Sequence, residues 1–177
     1  MKKYLMLIVL VAVFGLMSAT AHAVSTKWLD KNTTLMIDNT LMISKPNTQW
    51  DTQTKGYEDS APIKWVRHVA GANPQMFLRY KPNVTGKTAH VYSQQVKSEL
   101  SSRGINVYKT EKKVVNGRNV AILYGSKGEE EYMVGVWRHK DLGFQLECLA
   151  VKDKFNSYMS DFYAAINSVR IVKESGL

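Results

Sequence analysis

Apolar runs between residues 105 and 151 predict four consecutive β-strands around which the rest of the chain is organised. The first two runs flank Asn116-Gly117. This dipeptide between β-prone segments is the strongest short signal for a hairpin, because a type I′ turn needs positive φ at both central residues. The runs at 131–138 and 143–151 extend the hairpin into a meander.

Shorter strands are predicted before this meander. Residues 33–44 contain two apolar triplets around Asp38-Asn39, which indicates two short strands joined by a turn. Residues 47–62 lack periodicity and indicate a loop. The alternating runs 63–70 and 75–81 predict a second hairpin, joined by Gly71-Ala72-Asn73-Pro74.

Two segments show the three- and four-residue spacing of an amphipathic helix. The first spans 89–103, with Thr88 as N-cap and Gly104 at the position that ends it. The second follows Asp153 as its expected cap, and 168–172 is a final strand. The apolar stripes are Ala89, Tyr92, Val96 and Leu100, then Phe155, Tyr158, Met159, Phe162, Ala165 and Ile166. The chain therefore predicts one α+β domain with a mostly antiparallel sheet.

The first residues have the order of a secretory signal peptide. Met-Lys-Lys precedes an apolar run over 4–17, and small residues stand at Ala21 and Ala23, which predicts cleavage after Ala23. The run is shorter than the roughly 20 residues of a membrane span, although a retained N-terminal anchor is the alternative. We expect a cleaved signal peptide over 1–23, a flexible lead-in over 24–33, the domain over 34–172 and a tail over 173–177.

Composition agrees with a bacterial protein exported to the periplasm or the medium. Cys148 is the single cysteine, so no intramolecular disulfide can form. The formal charge of +9 becomes about +7 when Lys2 and Lys3 leave with the leader. That excess favours anionic partners, but scattered lysines also serve solubility.

Motifs of catalysis are missing from the sequence. Cys148 shares a strand face with Phe144, Leu146 and Ala150, which is typical of a buried hydrophobe rather than a nucleophile. There is no Gly-x-Ser-x-Gly, and the mature histidines lack metal-ligand spacing. We therefore predict no enzyme, no cofactor and no metal. An enzyme with a dispersed Cys/His site is the alternative.

The order of elements resembles the Mog1/PsbP-like superfamily, including its small exported bacterial members. The resemblance rests on the segment from Leu41 to Pro46 followed by Trp50, on the helix ending at Gly104, and on the Asn116-Gly117 meander. The closing segment 162–170 completes it, so that roughly residues 34–172 are covered. It implies an α/β/α sandwich with long helices on an antiparallel sheet. It also implies an accessory or binding role, since members include photosystem assembly subunits, a small-GTPase partner and envelope proteins.

We predict an exported, non-catalytic accessory protein that binds another component of the cell envelope. The binding surface is expected at the sheet rim, because aromatic and arginine side chains concentrate binding energy. A core position is equally open for Trp65 and Tyr80. An alternative is a binder of anionic polymers or lipids through the basic 109–118 hairpin, whose lysines also suit protection of a sheet edge. The rim candidates are Trp65, Arg67, His68, Arg79, Tyr80, Arg138 and His139, and the hairpin candidates are Lys112, Lys113 and Arg118.

Overall fold

A computed structural model describes residues 26–30, 34–37, 41–53, 63–82, 84 and 88–171 of the chain. The predicted signal peptide, the loop at 54–62 and the tail at 173–177 lie outside these residues. In chain order the elements are β1 (Thr26–Asp30), β2 (Thr34–Ile37), β3 (Leu41–Ser44), β4 (Asp51–Gln53), β5 (Ile63–Val66), β6 (Gln75–Lys81), α1 (Ala89–Ser102), β7 (Asn106–Val115), β8 (Arg118–Lys127), β9 (Glu130–His139), β10 (Leu142–Val151), α2 (Phe155–Ser168) and β11 (Arg170–Ile171).

The predicted meander is confirmed as the centre of the larger sheet. Strands β7, β8, β9 and β10 pair antiparallel with their neighbours in sequence. Asn116 and Gly117 have φ of 49° and 75°, as a type I′ turn requires. Strand β6 pairs with the free side of β10, and β5 and β4 follow it. The described strand order is therefore β4-β5-β6-β10-β9-β8-β7.

The smaller sheet has the order β1-β2-β3-β11. Strands β2 and β3 confirm the predicted pair around Asp38-Asn39. Within the segment expected as a flexible lead-in over 24–33, residues 26–30 form β1, which pairs with β2. Likewise β4 interrupts the segment predicted as loop at 47–62, because Asp51–Gln53 pairs with β5.

Helix α1 begins and ends as predicted. The Thr88 hydroxyl oxygen accepts a hydrogen bond from the Val91 N–H at 3.2 Å, which is the N-cap geometry. Gly104 has φ of 80°, the left-handed conformation that ends many helices. The cap predicted for α2 is wrong: Lys154 occupies the N-cap and makes no side-chain cap bond, so Asp153 lies one residue too early.

The two helices cover opposite faces of the larger sheet. Ala121 and Leu123 of β8 pack in one core with the buried stripe of α1. Ile122 packs in the other core with the buried stripe of α2 and with β3. Since alternate residues of a strand point to opposite faces, α1 and α2 lie on either side of β8 and its neighbours.

Each helix has 14 residues. Within the described part of the chain, neither has the length and apolar character needed to cross a membrane.

Candidate functional site

The rim candidates do not form one surface. Arg67 and His68 follow β5, and that end of β5 is in register, through β6, with Leu149 of β10. Arg138 is in register with Gly143, near the opposite end of β10. At about 3.3 Å per residue, the two ends lie roughly 20 Å apart. The Arg-His pair after β5 and the Arg-His pair at the end of β9 therefore cannot act on one small ligand.

Arg67 is engaged with helix α2. Its Nη1 lies 3.4 Å from Oδ2 of Asp161, and its guanidinium carbon lies 5.6 Å from the ring centre of Tyr158. The same Asp161 oxygen accepts the Trp50 Nε1–H at 2.9 Å. His68 is exposed, with Nε2 3.7 Å from a carboxylate oxygen at the start of β4. This end of the sheet holds α2 in place through Arg67 and leaves His68 in solvent.

Three further rim candidates belong to the interior or its border. Trp65 is fully buried and is therefore a core residue rather than a surface contact. Tyr80 is half-buried, with its ring centre 5.5 Å from that of Phe144. Arg79 donates from Nε to a buried Glu147 oxygen at 2.7 Å.

The hairpin candidates divide between the two faces of the sheet. Lys113 lies on the α2 side, with Nζ 3.8 Å from a Glu111 oxygen and 4.1 Å from the ring centre of Tyr163. Lys112 lies on the α1 side, because it is in register with Ala121, which packs beneath α1. The hairpin therefore does not present its lysines as one patch.

Lys112, Arg118 and Arg138 line one open cleft of about 520 Å³ beside the start of α1, and we call it the basic cleft. They belong to β7, β8 and β9, which are adjacent in the sheet. Arg118 stands at the hairpin end and is in register with Val115 of the α2-side core, so it borders the basic cleft and also lines a smaller cavity on the α2 side. His139, next to Arg138, is half-buried at the end of β9 and does not line the cleft. The other lining residues are Thr88, Ala89, His90, Gly117, Asn119, Val120 and Ala121. None of these described lining residues carries a carboxylate.

The N-terminus of α1 adds positive potential to the basic cleft. The Thr88 side chain caps the Val91 N–H, and the Tyr92 N–H donates to the Thr88 carbonyl oxygen at 3.1 Å. Among the described residues the backbone N–H groups of Ala89 and His90 have no such acceptor. A helix N-terminus carries roughly half a positive charge, and the first turn of α1 contains no acidic residue.

The cations of the basic cleft differ in their partners from the arginines that the fold holds in ion pairs, such as Arg67, Arg79 and Arg103. Among the described residues, none of Lys112, Arg118 and Arg138 has a carboxylate within ion-pair distance. Arg138 donates from Nη2 to the Val84 carbonyl oxygen at 3.3 Å, while its Nε is buried without a partner in the described chain. Ion pairs formed elsewhere include Arg67 with Asp161, Arg79 and Arg103 with Glu147, Lys81 with Glu99, and Lys109 and Lys113 with Glu111.

A second charge cluster surrounds Glu147, which is fully buried under α1. Its Oε1 lies 2.7 Å from Arg79 Nε and 2.6 Å from Arg103 Nη1, and its Oε2 lies 2.8 Å from Arg103 Nη2. Beside it, Gln145 Nε2 donates to the Tyr92 hydroxyl oxygen at 2.9 Å. No sequence motif marks this cluster. The available signal was the alternation of Gln145 and Glu147 in an otherwise apolar strand.

The described residues offer little for catalysis. Cys148 is fully buried, as predicted, and burial raises the pKa of its thiol well above the usual value, with a smaller contribution from the Glu147 charge. A thiol held in its protonated form is a poor nucleophile. Over the same residues, no three His, Cys, Asp or Glu side chains come together in a group that would hold a metal ion.

Comparison with known proteins supports the fold of this chain. No protein-family model matches the chain, and no curated protein matches it in sequence. A solved structure that is similar is the solution structure of cyanobacterial PsbP (CyanoP) from Synechocystis sp. PCC 6803. The two are 11% identical, with a TM-score of 0.53 over 88% of this chain and 96% of that chain. The predicted resemblance is confirmed at the level of architecture: the chain has a PsbP-like fold.

Proposed function

We propose that this is an exported, non-catalytic accessory protein, built as an α/β/α sandwich, that binds an anionic component of the cell envelope through the basic cleft. The observation that carries the proposal is the convergence of Lys112, Arg118 and Arg138 on one cleft without a counter-ion among the described residues. The PsbP-like fold fits a binding role but does not fix one, because a fold hosts many functions.

Electrostatics makes the cleft the preferred contact surface. Unpaired cations in a concave, partly desolvated site attract an anion more strongly than the same charges on a flat surface, because the surrounding protein lowers the local dielectric. Two of the three cations are arginines, whose planar guanidinium groups bind carboxylate or phosphate in a bidentate manner. Several other cations are instead paired with carboxylates that belong to the fold, among them Arg67, Arg79 and Arg103.

Capture from an envelope extract tests the binding role. The mature domain, from residue 24 onward, is immobilised as wild type and as Lys112→Glu with Arg118→Glu. We expect components retained by the wild type to be lost from the double variant. Lys97→Glu with Lys152→Glu is the matched control, because both lysines are exposed outside the cleft and the net charge changes equally. Equal retention by all three proteins would contradict the proposal.

Export is tested by following the full chain in a bacterial host. We expect the periplasmic or secreted product to begin at Val24, as cleavage after Ala23 requires. A product that keeps residues 1–23 and sediments with membranes would support a retained anchor instead.

The alternative of a polymer or lipid binder through the whole hairpin makes a different prediction. It requires Lys112 and Lys113 to contribute alike, although Lys113 is engaged with Glu111 and Tyr163 on the other face. Binding to acidic lipid vesicles at low salt is compared for Lys112→Glu and Lys113→Glu. Equal losses would favour the hairpin, whereas a loss confined to Lys112→Glu favours the basic cleft.

The enzyme alternative is tested by thiol labelling of Cys148. Because the thiol is buried and its pKa is raised, we expect a small thiol reagent to react only after the protein is unfolded in denaturant. Rapid labelling of the folded protein would argue for an accessible, reactive cysteine and against a non-catalytic role.

A further inference from the structure

We infer that the basic cleft binds a phosphate group carried as a monoester. The inference deepens the proposed function and rests on it, since it assumes that the cleft is a binding site and names the chemical class of its ligand. It is carried by the arrangement of the donors, by their total charge and by the size of the cleft.

The donors approach the cleft from different elements. Lys112, Arg118 and Arg138 come from three strands, and the N–H groups of Ala89 and His90, which have no acceptor among the described residues, come from the start of α1. A carboxylate presents two oxygens in one plane, so its donors approach within or near that plane. A phosphate monoester presents three terminal oxygens in a pyramid, so it can accept from donors on several sides at once.

Total charge also favours phosphate. Three cations and the positive end of a helix line the cleft, and none of the lining residues that the structure describes is acidic. A single carboxylate supplies one negative charge, whereas a phosphate monoester carries about −1.5 to −2 at pH 7. The doubly charged anion therefore neutralises more of the repulsion among the lining groups.

Arg138 is the lining residue that a bound anion should stabilise most. Its buried Nε has no acceptor among the described residues, and its one described bond goes to the Val84 carbonyl oxygen. A buried donor without a partner is costly. An anion placed against this guanidinium stabilises the charge electrostatically even where the Nε–H itself stays unbonded.

The size of the cleft indicates that the phosphate is attached to a larger molecule. Its volume of about 520 Å³ falls within the range of sites that hold small organic ligands. The cleft is open, so the organic part of a monoester can extend into solvent. A soluble phosphorylated metabolite and the headgroup of phosphatidic acid share this chemistry.

Titration of the ¹⁵N-labelled mature domain tests the inference. The probes are glycerol 3-phosphate, inorganic phosphate, acetate and vesicles of phosphatidylcholine with phosphatidic acid, all at constant ionic strength. We expect glycerol 3-phosphate to shift the amide signals of Ala89 and His90 and to bind at least tenfold more tightly than acetate. Arg118→Gln and Lys112→Gln should each weaken it on the order of tenfold, as loss of a charge-assisted hydrogen bond does.

The vesicle arm separates the two sources of the phosphate. Binding to phosphatidic acid vesicles that glycerol 3-phosphate displaces would assign a lipid headgroup, and soluble monoester binding without vesicle binding would assign a metabolite. The Lys97→Glu, Lys152→Glu variant should match the wild type in every arm. Acetate and glycerol 3-phosphate binding equally, or neither shifting Ala89 and His90, would overturn the phosphate inference. The proposed function would still stand if envelope capture remained dependent on Lys112 and Arg118, and would fall if it did not.

Discussion

The two ends of α1 differ in whether the charged groups around them are paired with groups of opposite sign. At the C-terminal end, Lys127 Nζ donates to the Arg103 carbonyl oxygen at 2.8 Å, and the Arg103 side chain pairs with Glu147 through both terminal nitrogens. Cations near a helix C-terminus are favourable because that end carries partial negative charge. Each positively charged group at this end therefore lies against a negative or partially negative one.

At the N-terminal end, groups of the same positive sign lie together. The helix presents partial positive charge, yet the charged residues that line the cleft beside it are Lys112, Arg118 and Arg138, and the first turn has no acid. Such a surface is mildly unfavourable for the free protein and becomes favourable once an anion occupies it. The difference between the ends separates charge that maintains the fold from charge that is available to a ligand.

The largest expected effect is on the free energy of unfolding and comes from the C-terminal end of α1, where Arg103 is paired with Glu147. Glu147→Gln should lower the free energy of unfolding by about 3 kcal/mol, because it leaves Arg79 and the half-exposed Arg103 against a neutral amide in a buried site. Urea denaturation of the mature domain measures the change.

Glu129→Gln is the control, since Glu129 is exposed and a surface substitution of this kind stays within about 0.5 kcal/mol. Equal effects of the two substitutions would mean that the Glu147 cluster does not stabilise the fold, and the contrast between the ends of α1 would lose its basis.

The next effect depends on pH and concerns Tyr92, which lies between the two ends of α1. Burial, opposed by the Gln145 hydrogen bond and reinforced by the Glu99 charge, raises the pKa of Tyr92 to about 12. The folded protein therefore holds this proton more tightly than the unfolded chain, whose tyrosines titrate near 10. The stability linked to Tyr92 is complete below pH 10 and is lost as pH rises from about 10 to 12, by about 2–3 kcal/mol.

Urea denaturation at pH 9, 10 and 11 measures this loss in the wild type and in Tyr92→Phe, which has no proton to release. We expect the phenylalanine variant to lose less stability over the interval. Tyr108→Phe is the exposed comparison: partial burial and the Glu131 hydrogen bond also raise the pKa of Tyr108 to about 12, but its side chain is 56% exposed, so solvent screens the charge and the substitution should change the alkaline loss less than Tyr92→Phe does. If wild type and Tyr92→Phe lose the same stability between pH 9 and 11, the Tyr92 hydroxyl does not contribute to the alkaline loss.

Local signals in the sequence account for most of the fold. Asn116-Gly117 fixed the central hairpin, and the spacing of Tyr92, Val96 and Leu100 located α1, because turn chemistry and helical periodicity depend on residues close in the chain. The Asp153 cap failed by a single residue, since the start of α2 depends on how it packs rather than on the cap residue alone.

The candidate site was less predictable because it depends on strand order. Arg67 and Arg138 each end a strand, but whether those ends meet is decided by β6 and β10 lying between them, which no local pattern encodes. Lys112 and Arg118 were found as part of a hairpin, while the role of α1 in completing the cleft needed the face on which that helix packs. Glu147 shows the same limit, since alternation places it on a face without telling what covers that face.

The smallest expected effect on stability comes from the N-terminal end of α1, beside the basic cleft. His90 is exposed in the first turn of α1 and lines the basic cleft. His90→Glu supplies the missing negative charge from within the chain, so it should raise the free energy of unfolding by about 0.3–1 kcal/mol at low salt. The same carboxylate should compete with a bound phosphate monoester for Lys112, Arg118 and Arg138, and so weaken its binding. Urea denaturation and the glycerol 3-phosphate titration measure the two effects on one protein.

His90→Gln separates charge from helix propensity, because glutamine and glutamate have similar intrinsic preferences for a helix. A gain in stability with glutamate that is absent with glutamine, and that fades in high salt, would show that the N-terminal end of α1 lacks an anion. Equal stability of the two variants would mean that the cations are already neutralised in the free protein. A stabilised variant that still binds the phosphate monoester as tightly as the wild type would separate the helix end from the ligand site, and the cations of the three strands would then have to bind it alone.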